Sequence, residues 1–379
     1  MSHLGYMEKL LDGVEVEWRA LGSVLVRTKG TNITAGRMKV LHKEHAPLKI
    51  FAGGKTVAFV EFKDIPEKDV NRKPSIIVKS RGVIGFEYYS KPFSHKNEMW
   101  SYHSINNDIN IKYVYYYLKT KESYFQGLAS RMQMPQIATP DTDKLPIPIP
   151  PISVQAEIVR ILDTFTELTA ELTAELTAEL TARQQQYEYY RDELLTFEEG
   201  EVEWKELGEV CESISSGKNK IKSELGLYPV FGSTGIIGRT DTKVYEKEQI
   251  LVARVGANAG RVNIATGEYD VSDNTLIVQN KDSIVLKFLY YYLVYINLNR
   301  FTKGAGQPLL TAGQLKKMLI PTPPIAEQKR IVSILDKFDA LTTSLTEGLP
   351  REIELRQQQY EYYRDLLLSF PKPEVVAHD

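Results

Sequence analysis

The feature that most constrains this chain is a four-residue repeat near its middle. The unit Thr-Ala-Glu-Leu occurs three times in succession over residues 169–180. Leucines spaced four residues apart lie on one face of an α-helix, and neither Gly nor Pro interrupts residues 152–197. About 45 residues at 1.5 Å each predict a helical rod roughly 65 Å long. Because the rod is half apolar, it requires a partner helix.

The same chain supplies that partner. Residues 325–370 match residues 152–197 at a constant offset of 173 positions, and their ends (183–197 and 356–370) are identical at 13 of 15 positions. Two rods of equal length separated by a globular domain pack most simply antiparallel, which predicts an approximate twofold axis. The predicted helix–helix packing residues are Ile158, Leu162, Phe165, Leu168, Leu172, Leu176, Leu180, Ile331, Leu335, Phe338, Leu341, Leu345, Leu349 and Ile353.

One tripeptide departs from this pattern. Gly348-Leu349-Pro350 falls opposite Glu175-Leu176-Thr177, inside the second rod. Proline lacks the backbone N–H that a helix interior uses, and its ring clashes with the preceding turn. We therefore expect the second rod to bend or break here.

The repeat divides the chain into five segments. Residues 1–12 resemble residues 190–195 in part, and we expect them to be a stub of the same helix end. Two globular domains are predicted at 13–150 and 199–323. The helical regions are predicted at 151–198 and 324–379. Both domains alternate β-branched and aromatic residues with Gly, Asn and Asp, which predicts strands and turns. The predicted fold class is α+β, with two strand-rich, mixed α/β domains separated by two long antiparallel helices. Candidate strands are 56–62, 75–78, 249–253 and 274–278.

Further landmarks recur in both domains. The stretch 15–24 matches 201–210, 112–120 matches 287–295, and 130–139 matches 303–312 with Pro135 aligned on Pro308. The tyrosine triplets at 115–117 and 290–292 are more typical of a packed core than of base stacking. Trp18 and Trp204 are predicted core residues for the same reason.

Composition excludes several classes of protein. A single cysteine, Cys211, excludes a disulfide framework and a Cys-based zinc site, and it suits a reducing cytoplasm, the predicted location. No apolar run approaches 18 residues. Residues 1–150 carry 22 Lys and Arg against 15 Asp and Glu, whereas residues 151–198 carry 3 against 10. The first domain is therefore positive and the first rod negative.

Catalytic motifs are absent from the sequence. There is no phosphate-binding GxxxxGK[ST] loop, no HExxH and no strand-linked GxGxxG, and residues 199–323 contain no histidine. Asp141 and Asp143 with Lys144 only superficially resemble a nuclease cluster, because the second domain has no counterpart. We expect no catalysis, no metal site and no cofactor bound by this chain.

Polar and basic residues cluster on Gly-punctuated stretches of both domains. Phosphate contacts use Lys and Arg, and base-edge contacts also use Asn, Gln, Ser and Thr on loops. A solvated loop explains any single residue equally well, but the clusters together favour nucleic-acid binding. The predicted DNA-binding residues are Lys29, Asn32, Arg37, Lys39, Arg81, Lys96, Arg131, Ser216, Lys218, Asn219, Lys220, Lys222, Arg239, Arg254, Arg261 and Gln307.

The near-identity of the rod ends needs a separate cause. Helix packing tolerates many apolar substitutions and does not preserve identical polar residues. Two copies of one partner docking on equivalent surfaces would preserve them, and a recent duplication is the alternative. The predicted partner-binding residues are Gln184, Gln185, Tyr187, Tyr190, Arg191, Gln357, Gln358, Tyr360, Tyr363 and Arg364.

These features together resemble the DNA-specificity (S) subunit of type I restriction–modification enzymes. The resemblance covers the whole chain and includes the motif PPIxxQxxIVxILDxF at 150–165 and 323–338 and the Thr-Ala-Glu-Leu units of the central spacer. It implies that each target-recognition domain contacts one half of a bipartite double-stranded DNA site while the rods set the spacer. It also implies docking of two methyltransferase (M) subunits, which restriction (R) subunits join. S-adenosylmethionine, ATP and Mg would then bind to the partner subunits, and the assembled complex would be the adenine methyltransferase and endonuclease.

Two other classes of function stay open on the residues alone. A coiled-coil scaffold could bind proteins through its globular ends, and salt-dependent retention on duplex DNA would exclude it. A nuclease or methyltransferase acting alone is the other, and methylation by the purified chain without partners would support it.

Overall fold

The structure is a computed structural model that describes residues 11, 13–129, 135–220, 223–304, 307–343 and 348–371. The predicted helical stub at 1–12, apart from Leu11, lies outside the described residues. Contacts divide the chain into two units, Met1–Ala174 with Glu354–Asp379, and Glu175–Ile353. Each unit therefore contains one globular domain together with parts of both helical regions. The boundaries of the five segments stay a prediction.

The first domain contains two small sheets and a two-stranded ribbon. In chain order its elements are β1 (Glu17–Ala20), α1 (Leu21–Val24), β2 (Val26–Lys29), α2 (Ala35–Leu41), β3 (Leu48–Phe51), β4 (Val57–Val60), β5 (Ser75–Lys79), β6 (Gly85–Tyr89), β7 (Phe93–His95), β8 (Trp100–His103), α3 (Ile111–Lys119), α4 (Glu122–Ala129), α5 (Thr139–Asp143) and β9 (Pro146–Ile149). One sheet has the order β2-β8-β5-β6 and is antiparallel, and the other has the order β4-β3-β7 with β3 and β7 parallel. The ribbon pairs β1 with β9. Helix α6 (Ile152–Leu195) follows.

The second domain repeats this topology strand for strand. Its elements are β10 (Glu203–Glu206), α7 (Leu207–Val210), β11 (Cys211–Ser216), β12 (Tyr228–Gly232), β13 (Gly235–Thr240), β14 (Gln249–Ala253), β15 (Val262–Ala265), β16 (Asp270–Val271), β17 (Thr275–Asn280), α8 (Leu286–Tyr295), α9 (Ala312–Lys316) and β18 (Leu319–Thr322). The sheets have the orders β11-β17-β14-β15 and β13-β12-β16, and β10 pairs with β18. The four candidate strands correspond to β4, β5, β14 and β17, with β14 matching at both ends. The α+β fold class is confirmed.

The tyrosine triplets contribute to the domain cores, as predicted. Tyr116 and Tyr117 are buried on α3, and Tyr291 and Tyr292 are buried on α8. The prediction for the tryptophans is wrong for Trp204, which is 39 % exposed. Trp204 lies on β10 of the two-stranded ribbon. Its ring contacts the Tyr292 ring edge-on, with the ring centroids 6.4 Å apart, and the rest of the side chain is partly exposed to solvent.

The first rod is one uninterrupted helix of 44 residues, α6, as the repeat predicts. The second rod contains two helices, α10 (Ile325–Thr343) and α11 (Gly348–Leu367), so the expected break near Gly348-Leu349-Pro350 is confirmed. Gly348 has a φ of 81°, and a Cβ there would lie 2.6 Å from the carbonyl oxygens of Ala340 and Leu341. Pro350 lies in the first turn of α11. Backbone N–H groups there have no acceptor within the helix, so a proline, which lacks the N–H, loses no hydrogen bond. The interruption therefore precedes the proline.

Within each unit the two helical regions pack antiparallel through aromatic side chains. In the first unit the Phe165 and Tyr363 rings are 6.0 Å apart, and the hydroxyls of Thr166 and Tyr360 are 3.1 Å apart. In the second unit Phe338 stacks on Tyr190 at 5.6 Å. Phe165 and Phe338 are equivalent in the 173-residue offset, so the same contact occurs twice.

The predicted rod-packing residues differ in their surroundings. Ile158, Leu162, Ile331 and Leu335 are buried in clusters that combine the core of the adjoining domain with the end of the facing helical region, such as Leu367 in the first unit and Leu195 in the second. Leu168 is 55 % exposed and lines a groove between α6 and the facing helical region, together with Tyr360 and Tyr363. Leu345 lies outside the described residues. The residues that are buried or partly buried along the rods are Leu172, Leu176, Leu180, Leu341, Leu349 and Ile353.

Candidate nucleic-acid interface

In the first domain, strands from both sheets end at a common edge. β2 ends where β8 begins, since Lys29 pairs with Trp100, and β5 ends beside the same residue. β3 and β7 are parallel and also end there: the Lys96 N–H donates to the Phe51 carbonyl (2.9 Å) and the Thr31 N–H donates to the His95 carbonyl (2.8 Å). Together we call this surface edge 1, comprising residues 29–32, 52–56, 79–82, 95–99 and 135–136.

The second domain forms the equivalent surface with the same hydrogen bonds. The Ser272 N–H donates to the Phe231 carbonyl (2.8 Å), and the Asn219 N–H donates to the Val271 carbonyl (3.1 Å). We call this surface edge 2, comprising residues 216–219, 232–235, 253–256, 271–275 and 308–309. A further pair supports the predicted alignment of the two prolines: the Gly82 N–H donates to Pro135 (2.9 Å) and the Gly256 N–H to Pro308 (3.0 Å).

One glycine in each edge permits the first loop to approach the second sheet. A Cβ on Gly30 would lie 2.2 Å from the His95 carbonyl oxygen, and a Cβ on Gly217 would lie 2.2 Å from the Val271 carbonyl oxygen. No side chain fits at such a distance, so any other residue would separate the loop from the sheet. Gly30 directly follows β2, which ends at the predicted residue Lys29, and Gly217 lies between the end of β11 and the predicted residue Lys218.

Edge 1 presents a small group of predicted DNA-binding side chains. Lys29, Asn32 and Arg81 are exposed, and the Lys96 ammonium is 2.5 Å from the Glu98 carboxylate. Burial raises the pKa of Glu98, but the hydrogen bond and charge of Lys96, with Arg81 also nearby, bring its net pKa below the usual value. Glu98 therefore stays ionised and keeps its ion pair with Lys96.

Edge 2 and the residues that flank it also present basic side chains. Lys218 and Lys220 are exposed on the loop after β11, and Arg261 is exposed directly before β15. Ser216, partly buried at the end of β11, and the exposed Gln307 border the same surface.

Arg254 is the most unusual side chain of edge 2. Its backbone is held on both sides, because its N–H donates to Asn274 (3.0 Å) and its carbonyl accepts from Leu310 (2.8 Å). Its Nε is buried without a hydrogen-bond partner among the described residues, and Nη1 lies 3.5 Å from the Asp273 carbonyl. An unmet buried donor is costly, so this guanidinium is suited to donate to an acceptor from outside the chain.

The structure accounts differently for several other predicted residues. Arg37 and Lys39 are exposed on α2, which leads away from edge 1 along β4. The Arg239 guanidinium donates to the carbonyls of Gly226 (2.7 Å) and Leu227 (2.6 Å), so it supports its own loop. The Asn219 amide donates to the Asp270 carboxylate (2.6 Å). Arg131 and Lys222 lie outside the described residues.

Two residues of edge 1 were not predicted. Lys55 is exposed in the turn between β3 and β4, and the Gly53-Gly54 dipeptide before it is a recognisable hairpin signal. Asn97 lies in the turn before β8, and with its side-chain amide oriented to satisfy its neighbours, its nitrogen donates to the Gly30 carbonyl (2.7 Å). No signal in the sequence points to Asn97, because its position depends on pairing between distant strands.

The predicted partner-binding residues divide into an inner and an outer set. Tyr187, Tyr190, Tyr360 and Tyr363 contact the facing helical region, which by itself accounts for part of the sequence identity. Arg191 and Arg364 are each 2.7 Å from the next residue's carboxylate. The outer set is exposed and consists of Gln184, Gln185, Gln357 and Gln358. Tyr189 and Tyr362, 65 % and 63 % exposed, belong to the same outer faces and were not predicted.

Among the described residues, no group of three His, Cys, Asp or Glu side chains could hold a metal ion. A search of the described helices also finds none that could span a membrane. Burial raises the pKa of the Cys211 thiol to about 12, despite the opposing charge of Lys281, so this cysteine is not a thiolate at neutral pH.

Comparison with known proteins gives a consistent result. The sequence profile described as "Type I restriction modification DNA specificity domain" matches residues 37–182 and 199–355. The chain is 38 % identical to the specificity subunit of the type I restriction enzyme EcoR124I/EcoR124II from Escherichia coli, with all of both chains covered. It is 34 % identical to a putative type I specificity subunit from Haemophilus influenzae, over 96 % of this chain and 98 % of the relative. These relatives are named specificity subunits, which agrees with the expectation that this chain is not itself an enzyme.

Solved structures show the same fold at lower sequence identity. The type I S subunit from Mycoplasma genitalium matches with a TM-score of 0.52 at 20 % identity, covering 95 % of this chain and 98 % of that one. A chain from a type I restriction–modification system studied for complex assembly matches with a TM-score of 0.64 at 18 % identity, covering 94 % and 98 %.

Proposed function

Because this chain belongs to the family of type I restriction–modification specificity subunits, we propose that it binds double-stranded DNA sequence-specifically, with edge 1 and edge 2 each contacting one half of a bipartite site. The observation that carries this proposal is the repetition of one strand edge in two domains. The same hydrogen bonds build both edges, yet the side chains on them differ. Two domains with the same backbone arrangement but different side chains at their edges suit two DNA half-sites of different sequence.

The chemistry of the edges fits both kinds of DNA contact. Exposed lysines such as Lys29, Lys218 and Lys220 suit phosphates, which tolerate flexible cations. Arg81 and Arg254 suit base edges, because a guanidinium can donate two parallel hydrogen bonds to guanine. Duplex DNA is therefore a better match to these surfaces than a protein partner.

The helical regions would set the distance between the half-sites and carry the partners. We propose that the exposed faces with Gln184, Tyr189, Gln357 and Tyr362 dock two methyltransferase subunits, and that restriction subunits join that complex. S-adenosylmethionine, ATP and Mg would bind to those partners and not to this chain. A role on genomic DNA would place the complex in the cytoplasm.

The experiment that tests this function changes the length of α6. One Thr-Ala-Glu-Leu unit adds about 6 Å of helix, whereas one base pair adds about 3.4 Å. Deleting residues 169–172 should shorten the preferred spacer by one or two base pairs and leave both half-site sequences unchanged. The measurement is selection of bound duplexes from a random pool by the chain assembled with its methyltransferase subunits.

Thr169→Ala provides the matched control, because it alters the same unit without changing its length. The control should select the original spacer. A deletion variant that selects a different half-site sequence, or the original spacer, would contradict the role of α6 as a ruler.

A further inference from the structure

We propose that two duplicated polar clamps, Gln155 with Asp163 and Gln328 with Asp336, determine how strictly the protein discriminates spacer length. Each clamp fixes the orientation of one globular domain on the helix that follows it. The inference rests on the proposed bipartite binding and adds the residues that make the spacing strict.

The first half of clamp one is a buried glutamine at the start of α6. Gln155 is fully buried, and its Nε2 donates to the carbonyls of Pro150 (2.7 Å) and Asp108 (2.9 Å). Its Oε1 accepts the backbone N–H of Asn110 (2.9 Å). One side chain therefore joins the first turn of the helix to the loop between β8 and α3 through two directional bonds and to Pro150, just before the helix, through a third.

The second half lies two turns further along the same helix. The Asp163 carboxylate accepts from the Lys112 ammonium (2.7 Å) and from the Tyr116 hydroxyl (2.6 Å), both on α3. Burial and the bond to Asp163 raise the pKa of Tyr116 above its usual value, so the phenol keeps its proton and donates. With Gln155, Asp163 gives α6 two separate attachment points to one domain.

The second unit repeats both halves. Gln328, 1 % exposed, donates to Pro323 (2.8 Å) and Ser283 (3.5 Å) and accepts from the Val285 N–H (2.7 Å). Asp336 accepts from Lys287 (2.7 Å) and Tyr291 (2.7 Å). Val285 replaces Asn110 at the N-cap of the domain helix, yet the bond from its backbone to the glutamine persists.

The clamps lie at the end of each domain opposite to the DNA edge. Asp108 and Asn110 follow the end of β8, whereas residues 95–99 of edge 1 directly precede its start. In a domain roughly 30 Å across, a tilt of about 8° at the clamp displaces the far side by about 4 Å, close to the rise of one base pair. Apolar contacts tolerate such a tilt better than hydrogen bonds do, because hydrogen bonds weaken steeply with angle. Discrimination between adjacent spacer lengths therefore depends on the polar clamps.

The test compares binding to duplexes that share both half-sites and differ by one base pair in the spacer. With the chain assembled with its methyltransferase subunits, Gln155→Leu and Asp163→Asn should each reduce the preference for the native spacer by about tenfold or more. The half-site preference should not change. Gln328→Leu should have the same effect through the second domain. Asp163→Asn replaces one carboxylate oxygen with an amide NH2 group. If Gln155→Leu does not fold, the same spacer comparison is made with Asp163→Asn alone.

Thr142→Val is the matched control inside the first domain. Thr142 is buried and bonds to Trp100 (3.2 Å) and Tyr102 (2.7 Å), away from α6, so its loss should lower stability and leave spacer preference unchanged. Equal weakening of all spacer lengths in the clamp variants, or no change, would overturn the clamp proposal. A wild-type complex that shows no half-site or spacer preference would instead refute the proposed function.

Discussion

His95 is a buried titratable residue of edge 1. Its side chain is fully buried, with Nδ1 3.1 Å from the Lys96 carbonyl and Nε2 3.1 Å from the Ser101 hydroxyl. A carbonyl can only accept, so Nδ1 carries the proton and Nε2 accepts from Ser101. Burial lowers the pKa of His95 below its usual value of 6.5, although the Lys96 carbonyl and Glu98 oppose this.

The lowered pKa predicts a pH-dependent stability of the first domain. Below pH 6.5 the unfolded chain binds a proton at this histidine while the folded protein does not, so stability is complete above that pH and is lost as the pH falls toward the lower folded pKa. His95→Gln should therefore flatten the decline in melting temperature between about pH 7 and 5.5. His45→Asn, in an exposed turn with φ of 70°, is the control that should keep the decline. An equal slope in wild type and His95→Gln would contradict this role.

At the residue scale, the sequence indicates which polar and basic side chains are candidates for DNA binding. It does not indicate which of them form hydrogen bonds within the protein instead. Lys218 and Arg81 are exposed at the edges as the clusters suggested, but Arg239 bonds to its own loop and Asn219 bonds to Asp270. These bonds join residues that are distant along the chain, and no local pattern contains them.

At the scale of elements, periodicity predicts helices well and their interruptions less well. The four-residue repeat correctly predicted α6, because one apolar face and strong helix formers extend through it. The interruption of the second rod was expected from Pro350, yet the described residue with a non-helical backbone is Gly348, whose φ is 81°. The strand order of the two sheets could not be derived, because it depends on pairing between segments far apart in the chain.

Gly348 provides a test of how the second helical region is built. Gly348→Ala should destabilise the protein by about 1–3 kcal/mol, because φ of 81° disfavours a side chain and the new Cβ would approach two carbonyl oxygens at 2.6 Å. The measurement is the free energy of unfolding in denaturant. Gly313→Ala on α9, where a Cβ has open space, should be neutral or slightly stabilising. Equal effects of the two substitutions would show that the conformation at Gly348 is not required.

At the scale of the whole molecule, the internal repeat explains the organisation. A shift of 173 residues relates the rods, the clamps and the aromatic contacts, and the two domains share one strand topology with different surface residues. Duplication could be recognised in the sequence because the helical regions are nearly identical where they meet the domains. The two edges could not be recognised in the sequence, because each is assembled from five separate segments of its domain.

The most direct measurement of the central claim is the bound-sequence preference of two edge variants, determined with the chain assembled with its methyltransferase subunits. Arg81→Ala in edge 1 and Arg254→Ala in edge 2 should each relax sequence preference in one half-site, and the two variants should affect opposite halves while the spacer stays constant. Relaxation of both halves by either variant, or of the same half by both, would contradict the account of two independent recognition edges.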